Sequence, residues 1–496
     1  MEKAELIFIP WPLMGHLGQM VELANHLINR TKNLSITVLI SRLPDSLDPV
    51  TNKLINALVS SSTTESLQFF HLPQTDPSPE WSSLSRGYFI QRQLDSQKPH
   101  VNKFIEQRLI DNRSTPSSKL IGVVVDMFST SMIDVANELY IPSYVFFTSG
   151  AAFLGLMMHC QSLEDEYSQD VSAFSNSKTA LEFPSFANPV PPSVMPMAIV
   201  DKQLWSYRFL QCARGYRKAR GIIINTFTEL ESYALDSFTF STVSEQSTYG
   251  LHKVPRIYPV GPVINRAQHN ISDPVQSGRI LQWLDDQPPN SVVYISFGSL
   301  GSLPIDQVKE LAKALEGSGY RFLWCLRRPP PKNSIVDFPS EYEDYRDVLP
   351  EGFLDRTETV GKVVNWVPQL AVLSHSAVGG FVSHCGWNST LESIWCGVPL
   401  ATWPLEGEQQ LNAFQLVKEL ELSVGITLDY SSRKKDQALV PAEEIERGIR
   451  KVMESDSEAR KKVKEMRGKS TESMKQGGSS YESLGILIDN MFHNAF

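Results

Sequence analysis

The chain has 496 residues, 42% of them hydrophobic, and a formal net charge of −9 at pH 7. Its length exceeds what one hydrophobic core supports, so two domains are expected, and its acidic balance argues against nucleic acid as a partner. Five scattered cysteines without a CxxC spacing predict a reducing compartment, the cytoplasm, and no disulfide framework. The N-terminal apolar run is broken by Pro10 and Pro12, and no apolar stretch is long enough for a bilayer, so we expect neither a signal peptide nor a transmembrane segment.

The first residues predict a strand, a loop, a helix and a second strand. Glu5–Pro10 has the apolar character of a buried parallel strand and leads into a loop that carries His16. The apolar spacing of Gln19–Asn29 predicts a helix, and Ser35–Ser41 predicts the next strand. Strands and helices continue to alternate, which indicates an α/β fold with a parallel, doubly wound sheet.

Three polar residues come directly after predicted strands of the first half. His16 follows the first strand, Asp126 follows Leu120–Val125, and Thr148 follows Ser143–Phe147. In doubly wound sheets, ligands bind at the carboxyl ends of the strands. We therefore expect these three side chains to meet at one rim of the sheet, although they are far apart in sequence.

Two further segments of the first half differ from this alternation. Trp81–Leu109 predicts one long helix. Residues 162–206 are polar and then proline-rich, which is typical of a loop excursion that walls or covers a binding site.

A second α/β unit follows a stretch in which proline and glycine increase and periodicity fades. Its first strand, Ser291–Phe297, runs into a Gly-Ser loop that contains Ser299. We predict the following division of the chain: a first domain at residues 1–252, a linker at 253–275, a second domain at 276–475 and a C-terminal segment at 476–496.

The stretch Trp366–Gln409 is dense in residues that core packing does not require. It predicts a short strand at Gly380–Ser383, a turn at Gly386 and a helix that begins near Ser389. The first backbone N–H groups of a helix lack intrahelical partners and point outward, so a strand, a tight turn and a helix start form an anion site.

This stretch resembles the plant secondary-product glycosyltransferase box of the family 1 UDP-sugar-dependent glycosyltransferases. The resemblance rests on the W-x-P-Q start, the HCGWNS core, the glutamate three residues after that serine, the GVP and the final acidic residue and glutamine. It implies a GT-B fold, in which two Rossmann-like domains face each other across a cleft. The N-terminal domain then holds the acceptor, the C-terminal domain holds the UDP-sugar, and the last helix packs back on the N-terminal domain.

The resemblance also implies the donor site, with UDP-glucose as co-substrate and with neither a metal nor another cofactor. Glutamine at the last box position is associated with glucose. The implied donor-binding residues are Thr148, Ser299, Trp366, Val367, Gln369, His384, Trp387, Asn388, Ser389, Glu392, Glu408 and Gln409.

Three of these residues have other interpretations from the sequence alone. Ser389 and Glu392 also have the spacing of a capping box, in which the glutamate bonds back to the start of its own helix. His384 could bind a metal with His375 and Cys385, but that spacing is poor.

Sugar transfer to a hydroxyl needs a base, and histidine has a suitable pKa. His16 occupies the family's catalytic position, and Asp126 would orient its ring and stabilise the imidazolium. Direct displacement at an α-linked donor then gives a β-glycoside, with inversion. The chain has no D-x-D motif, which argues against a metal-dependent GT-A enzyme.

The acceptor is less defined by sequence. We expect the acceptor to be a hydrophobic small molecule, with a flavonoid or other phenolic as the first class and a triterpenoid alcohol as the next. The residues expected to contact it are Phe89, Met127 and Trp205. We also expect the enzyme to be a monomer. Where many relatives have an aromatic residue and alanine before the acidic-Gln pair, this chain has Glu406 and Gly407.

Two rival functions remain open at this stage. A non-catalytic UDP-sugar-binding protein could retain the donor box, but it would tend to lose His16 and Asp126. A nucleotide-linked oxidoreductase is disfavoured because no G-x-G-x-x-G follows the first strand.

Overall fold

The computed structural model describes residues 3–43, 49–84, 86–114, 118–201, 206–240, 249–250, 253–265, 274–330, 339–432, 434 and 436–493. Two parallel sheets organise the described chain, the first in the order β3-β2-β1-β4-β5-β6-β7 and the second in the order β10-β9-β8-β11-β12-β13. This architecture is the expected α/β fold with two Rossmann-like units.

The first sheet is covered on both faces. Its strands are β1 (Ala4–Ile9), β2 (Leu34–Ile40), β3 (Leu67–His71), β4 (Lys119–Asp126), β5 (Ser143–Phe147), β6 (Gly221–Ile224) and β7 (Arg256–Pro259). The helices between them are α1 (Met14–Arg30), α2 (Pro49–Ser62), α3 (Arg86–Asp95), α4 (Lys98–Ser114), α5 (Met132–Glu138), α6 (Ala151–Tyr167), α7 (Met197–Val200), α8 (Ser206–Tyr216) and α9 (Ser232–Phe240). Successive strand residues join opposite cores, since Ile7 and Ile9 pack in one cluster while Leu6 and Phe8 pack in the other.

The second sheet has the same plan. Its strands are β8 (Val292–Ser296), β9 (Arg321–Cys325), β10 (Gly361–Val364), β11 (Val378–Ser383), β12 (Leu400–Thr402) and β13 (Ser423–Gly425). The helices are α10 (Pro274–Asp285), α11 (Ile305–Ser318), α12 (Phe353–Thr357), α13 (Gln369–Ser374), α14 (Trp387–Cys396), α15 (Gln409–Phe414), α16 (Ala442–Met453), α17 (Glu458–Ser473) and α18 (Ser479–His493). None of the helices in the described ranges combines the length and apolar character that a bilayer crossing needs.

The end of the first domain differs from the sequence-based division. Residues 253–275 were expected to form a linker, but Arg256–Pro259 pairs in parallel with β6 as the edge strand of the first sheet. Prolines mask strand character in a sequence, yet an edge strand tolerates them because one side of its backbone needs no partner. The first sheet therefore extends into the range assigned to the linker.

The helix expected over Trp81–Leu109 is interrupted. The chain forms a 3-10 turn at Pro79–Ser83, and then α3 ends at Asp95 and α4 begins at Lys98. Pro99 has no N–H to donate, and its ring would clash with the carbonyl of Asp95 in a continuous helix. The break separates α3 from α4, the helix that packs on β4.

Candidate active site

The expected meeting of His16 and Asp126 is present at the rim of the first sheet. β1 and β4 are neighbours in parallel register, so their carboxyl ends lie side by side. Asp126 is the last residue of β4, and His16 lies in the first turn of α1 and not in a loop. The His16 Nδ1 and Asp126 Oδ2 atoms are 2.8 Å apart.

Both carboxylate oxygens of Asp126 are engaged, and the side chain is fully buried. Oδ1 accepts the backbone N–H of Phe128 at 2.9 Å, while Oδ2 accepts from the His16 ring. A carboxylate can only accept, so the proton of the neutral imidazole is on Nδ1 and the lone pair is on Nε2. Burial lowers the pKa of His16, but the charge and hydrogen bond of Asp126 and the charge of Glu408 outweigh it, so this pKa lies above its ordinary value of 6.5.

Thr148, just after β5, joins the same cluster. Its Oγ1 lies 3.3 Å from His16 Nδ1 and 3.3 Å from the sulfur of Met127. The rim of three adjacent strands, β1, β4 and β5, therefore supplies the histidine, the aspartate and the threonine.

Two of the three residues expected to contact an acceptor are buried, and the third is not described. Phe89 and Met127 are buried, each 3% exposed, and Trp205 lies outside the described residues. The aromatic side chain beside the histidine is Phe128, whose ring centroid is 5.4 Å from that of His16. Sequence analysis missed Phe128, although its place two residues after the strand-ending Asp126 was a usable signal.

The box begins with residues around the start of α13. Trp366 is partly buried, Val367 is buried, and Gln369 is the first helical residue. Gln369 Nε2 donates to Ser389 Oγ at 2.8 Å and to Glu392 Oε2 at 2.7 Å. These contacts join the start of α13 to the first turns of α14.

The capping-box interpretation of Glu392 is wrong. α14 begins at Trp387, two residues before Ser389, and its N-cap is Gly386, so Ser389 is already inside the helix and is not its cap. Glu392 is 2% exposed, and burial raises its pKa to about 7 against the hydrogen bond from Gln369. A buried carboxyl with one amide partner retains acceptor capacity for paired hydroxyls.

His384 lies between β11 and α14, against two glycines. A Cβ at Gly298 would lie 2.7 Å from His384 Nε2, and one at Gly386 would lie 2.5 Å from it, so a side chain at either position would displace the imidazole. Burial lowers the pKa of His384 to about 4, against the charge of Glu406 and a backbone contact at Ser296. At neutral pH this imidazole is neutral and has a single N–H, which can donate either to the backbone at Ser296 or to an anionic ligand.

The other predicted donor residues of this region occupy two loops. Ser299 is exposed in the loop that follows β8. Gln409 begins α15, and its Oε1 accepts the backbone N–H groups of Leu405 and Glu406 at 2.8 and 3.0 Å. Its amide NH2 is thus the part that can donate to a ligand.

Side chains of the second domain reach the first domain at this site. Trp387 Nε1 donates to the carbonyl of Asn225 at 2.7 Å, and Asn388 Nδ2 donates to the carbonyl of Gly15 at 3.2 Å. Ser149 Oγ donates to Glu408 Oε1 at 3.2 Å. Burial raises the pKa of Glu408, against its hydrogen bonds and the charge of His16.

The site thus combines a carboxylate-oriented histidine of the first domain with a helix N-terminus and a neutral histidine of the second. The first of these can remove a proton, and the second can bind an anion. Within the described ranges, no three His, Cys, Asp or Glu side chains come together in a way that could hold a metal ion.

Comparisons with known proteins identify the family of this chain. Residues 277–439 match the family described as UDP-glucoronosyl and UDP-glucosyl transferase. The chain is 49% identical to a putative UDP-glucose flavonoid 3-O-glucosyltransferase 3 of Fragaria ananassa, over 99% of this chain and 100% of that protein.

Solved structures match over the same extent. A UGT transferase from Siraitia grosvenorii in complex with UDP is 42% identical, with a TM-score of 0.84 over 99% of this chain and 100% of that one. UGT71G1 of Medicago truncatula, complexed with UDP-glucose, is 38% identical, with a TM-score of 0.83 over 99% and 98%. The chain therefore belongs to the plant family 1 UDP-glycosyltransferases, enzymes of the GT-B fold.

Proposed function

We propose that this enzyme transfers glucose from UDP-glucose to a hydroxyl of a lipophilic plant small molecule, with inversion, to give a β-glucoside. The observation that carries the proposal is the contact of 2.8 Å between His16 and Asp126, in a site that Glu408 of the second domain completes. A flavonoid or other phenolic is the first acceptor class, supported by the name of the Fragaria relative, and a triterpenoid alcohol is the next.

The donor residues have separate tasks in this proposal. Trp366 stacks on uracil beside Val367, while Gln369 and Glu392 bind the nucleoside, Glu392 at the ribose hydroxyls. The diphosphate is held by the start of α14 and by donors at its two sides, namely Ser299, His384, Asn388 and Ser389. The glucose is held from both domains, by Thr148, Trp387, Glu408 and Gln409.

The reaction is a single displacement in this proposal. His16 Nε2 takes the proton of the acceptor hydroxyl as its oxygen bonds to C1 of glucose. The bond between C1 and the phosphate oxygen breaks on the opposite face, and UDP leaves with that electron pair. Asp126 stabilises the imidazolium that forms, and the dipole of α14 and His384 stabilise UDP.

We further propose a monomer that works in the cytoplasm. Hydrogen bonds from Asn388 to Gly15 and from Ser149 to Glu408 complete the site within one chain. The five cysteines are free, as is usual for proteins of a reducing compartment.

The test is an acceptor screen by mass spectrometry with UDP-glucose, on the wild type and on His16→Ala. We expect β-glucosides of phenols in the wild type. The variant should lose transfer to aliphatic alcohols and retain part of the transfer to acidic phenols, because those lose a proton without a base. His26→Ala is a matched control on the same helix, since His26 pairs with Glu22 away from the site. Undiminished transfer to an alcohol by His16→Ala would show that His16 is not the base.

A further inference from the structure

Arg208 is a buried cation beside the proposed acceptor site. It lies on α8 and is only 8% exposed. Its Nη2 donates to the carbonyl of Phe128, and its Nε is buried without a hydrogen-bond partner. A guanidinium has five N–H donors, so the Phe128 carbonyl uses only a small part of this capacity.

The carboxylates of the same region have other partners. Asp126 and Asp95 act with Arg208 on the pKa of Cys212, so all three charges lie near that thiol. Asp126 accepts from His16 and Phe128, and Asp95 accepts from Ser131 and Gln91. Among the described residues, none of the carboxylates forms an ion pair with Arg208. A buried charge without a counter-ion is costly, and a ligand anion would offset that cost.

Arg208 is joined to the proposed base through Phe128. The backbone of Phe128 donates to Asp126 and accepts from Arg208, while its ring lies beside the rings of His16 and Phe209, at 5.4 and 5.6 Å. On the other side, the charge of Arg208 opposes the rise that burial causes in the pKa of Tyr88 on α3. The guanidinium thus lies within an aromatic wall that adjoins the base.

We propose that the enzyme takes phenols that also carry a carboxylate, and that Arg208 binds this carboxylate while His16 acts on the phenolic hydroxyl. This inference rests on the proposed function and narrows its acceptor class. A guanidinium and a carboxylate form paired, charge-assisted hydrogen bonds, which fix orientation as well as adding affinity. The carboxylate is held and does not react, so the product is a phenolic O-glucoside and not a glucose ester.

The experiment compares 4-hydroxycinnamic acid with its methyl ester, both with UDP-glucose. We expect the wild type to prefer the acid in kcat/KM by about tenfold or more, and the product to resist mild alkaline hydrolysis. Arg208→Met should lose about tenfold or more on the acid, mainly through KM, and change by less than about threefold on the ester. Arg208→Lys keeps the positive charge but lacks the paired N–H donors of the guanidinium. Its kcat/KM on the acid should lie between those of the wild type and Arg208→Met.

Arg214→Met is the matched control, because Arg214 lies on the same helix but pairs with Asp165. Its ratio of acid to ester should equal that of the wild type. Equal losses on acid and ester in Arg208→Met would show that Arg208 only holds Phe128, and a glucose ester as product would show that the carboxylate is the nucleophile; either overturns the inference. If Arg208→Met does not fold, the inference is tested by the ratio of kcat/KM on the acid to that on the ester, compared between the wild type and Arg208→Lys. A wild type that glucosylates the ester but not the acid overturns the inference alone, whereas turnover of neither, with UDP still bound, overturns the proposed function.

Discussion

At the scale of single residues, the histidine and aspartate owe their contact to backbone topology. They are separated by 110 positions, yet β1 and β4 are adjacent, and each residue lies at or just beyond the carboxyl end of its strand. The backbone N–H of Phe128 and the imidazole N–H together hold the carboxylate, so Asp126 fixes both the ring orientation and its tautomer.

Asp126→Asn should shift the acidic limb of the pH profile to lower pH. The proposed base works in its neutral form, so kcat/KM should rise as pH passes through the pKa of His16, which Asp126 holds above 6.5. An amide removes that charge while burial continues to lower the pKa, so the limb moves down. The plateau should also fall by about 10²–10⁴, because the imidazolium loses its stabilising partner.

The measurement is kcat/KM from about pH 5 to 9 with an acceptor that does not itself titrate there. Asp134→Asn is the control, since Asp134 pairs with Lys218 on the surface and should leave the profile unchanged. An unmoved acidic limb in Asp126→Asn would contradict the assignment of that limb to His16.

The sequence predicted part of this site, and tertiary contacts decided the rest. His16, Asp126 and Thr148 were identifiable because each follows a strand, and such positions converge in a parallel sheet. Arg208 gave no such signal, since its contact with Phe128 spans 80 positions and joins a helix to a loop. Arginine usually lies on the surface, and a local sequence pattern does not show which arginine tertiary packing will bury.

At the scale of elements, the start of α6 depends on a residue from a distant loop. Its N-cap is Gly150, which offers no side chain, and Glu231 accepts the N–H groups of Ala151 and Ala152 at 2.7 and 3.0 Å. Glu231 also accepts from Gln415 of the second domain at 3.0 Å. One buried carboxylate therefore caps a helix and links the two domains.

Glu231→Gln should lower the free energy of unfolding by about 1–3 kcal/mol. The amide replaces one acceptor oxygen with a donor, so a buried backbone N–H at the start of α6 loses its partner. Chemical denaturation followed by tryptophan fluorescence measures the change. Glu229→Gln is the control, because Glu229 is exposed and accepts only from Ser479 among the contacts seen. Equal midpoints for the two variants would contradict the role of Glu231.

Element boundaries show where local patterns fail. The strand and helix alternation was predictable because buried parallel strands are apolar throughout. The break before Pro99 and the edge strand Arg256–Pro259 were not predicted, and in both cases proline was the reason. Pro99 was not recognised as a residue that ends a helix, and the prolines near Arg256–Pro259 counted as evidence against a strand.

At the scale of the whole molecule, the last helix packs on the first domain. α18 follows the second domain in sequence, but Leu487 packs in the same cluster as Leu6 of β1 and Leu17 of α1. Arg30, at the end of α1, lies over the ring of Tyr481 at 3.5 Å, and Asn490 donates to the hydroxyl of Tyr258 in β7 at 3.0 Å. The C-terminal segment therefore supports the helix that carries His16.

Leu487→Ala should destabilise the first domain, although residue 487 lies beyond the second domain in sequence. Leu487 is fully buried, and truncation of such a leucine costs about 2–5 kcal/mol, because transfer free energy is lost and a cavity remains. Hydrogen exchange should accelerate in β1, β7 and α1, while β8 and β11 keep their protection.

Ile486→Ala is the matched control, since Ile486 is the neighbour of Leu487 and is 42% exposed, and it should leave exchange in all these elements unchanged. Faster exchange in β8 and β11 alone would place α18 in the second domain. Faster exchange in the first domain, with a lower rate of transfer, would show that the two ends of the chain together hold the proposed base in place.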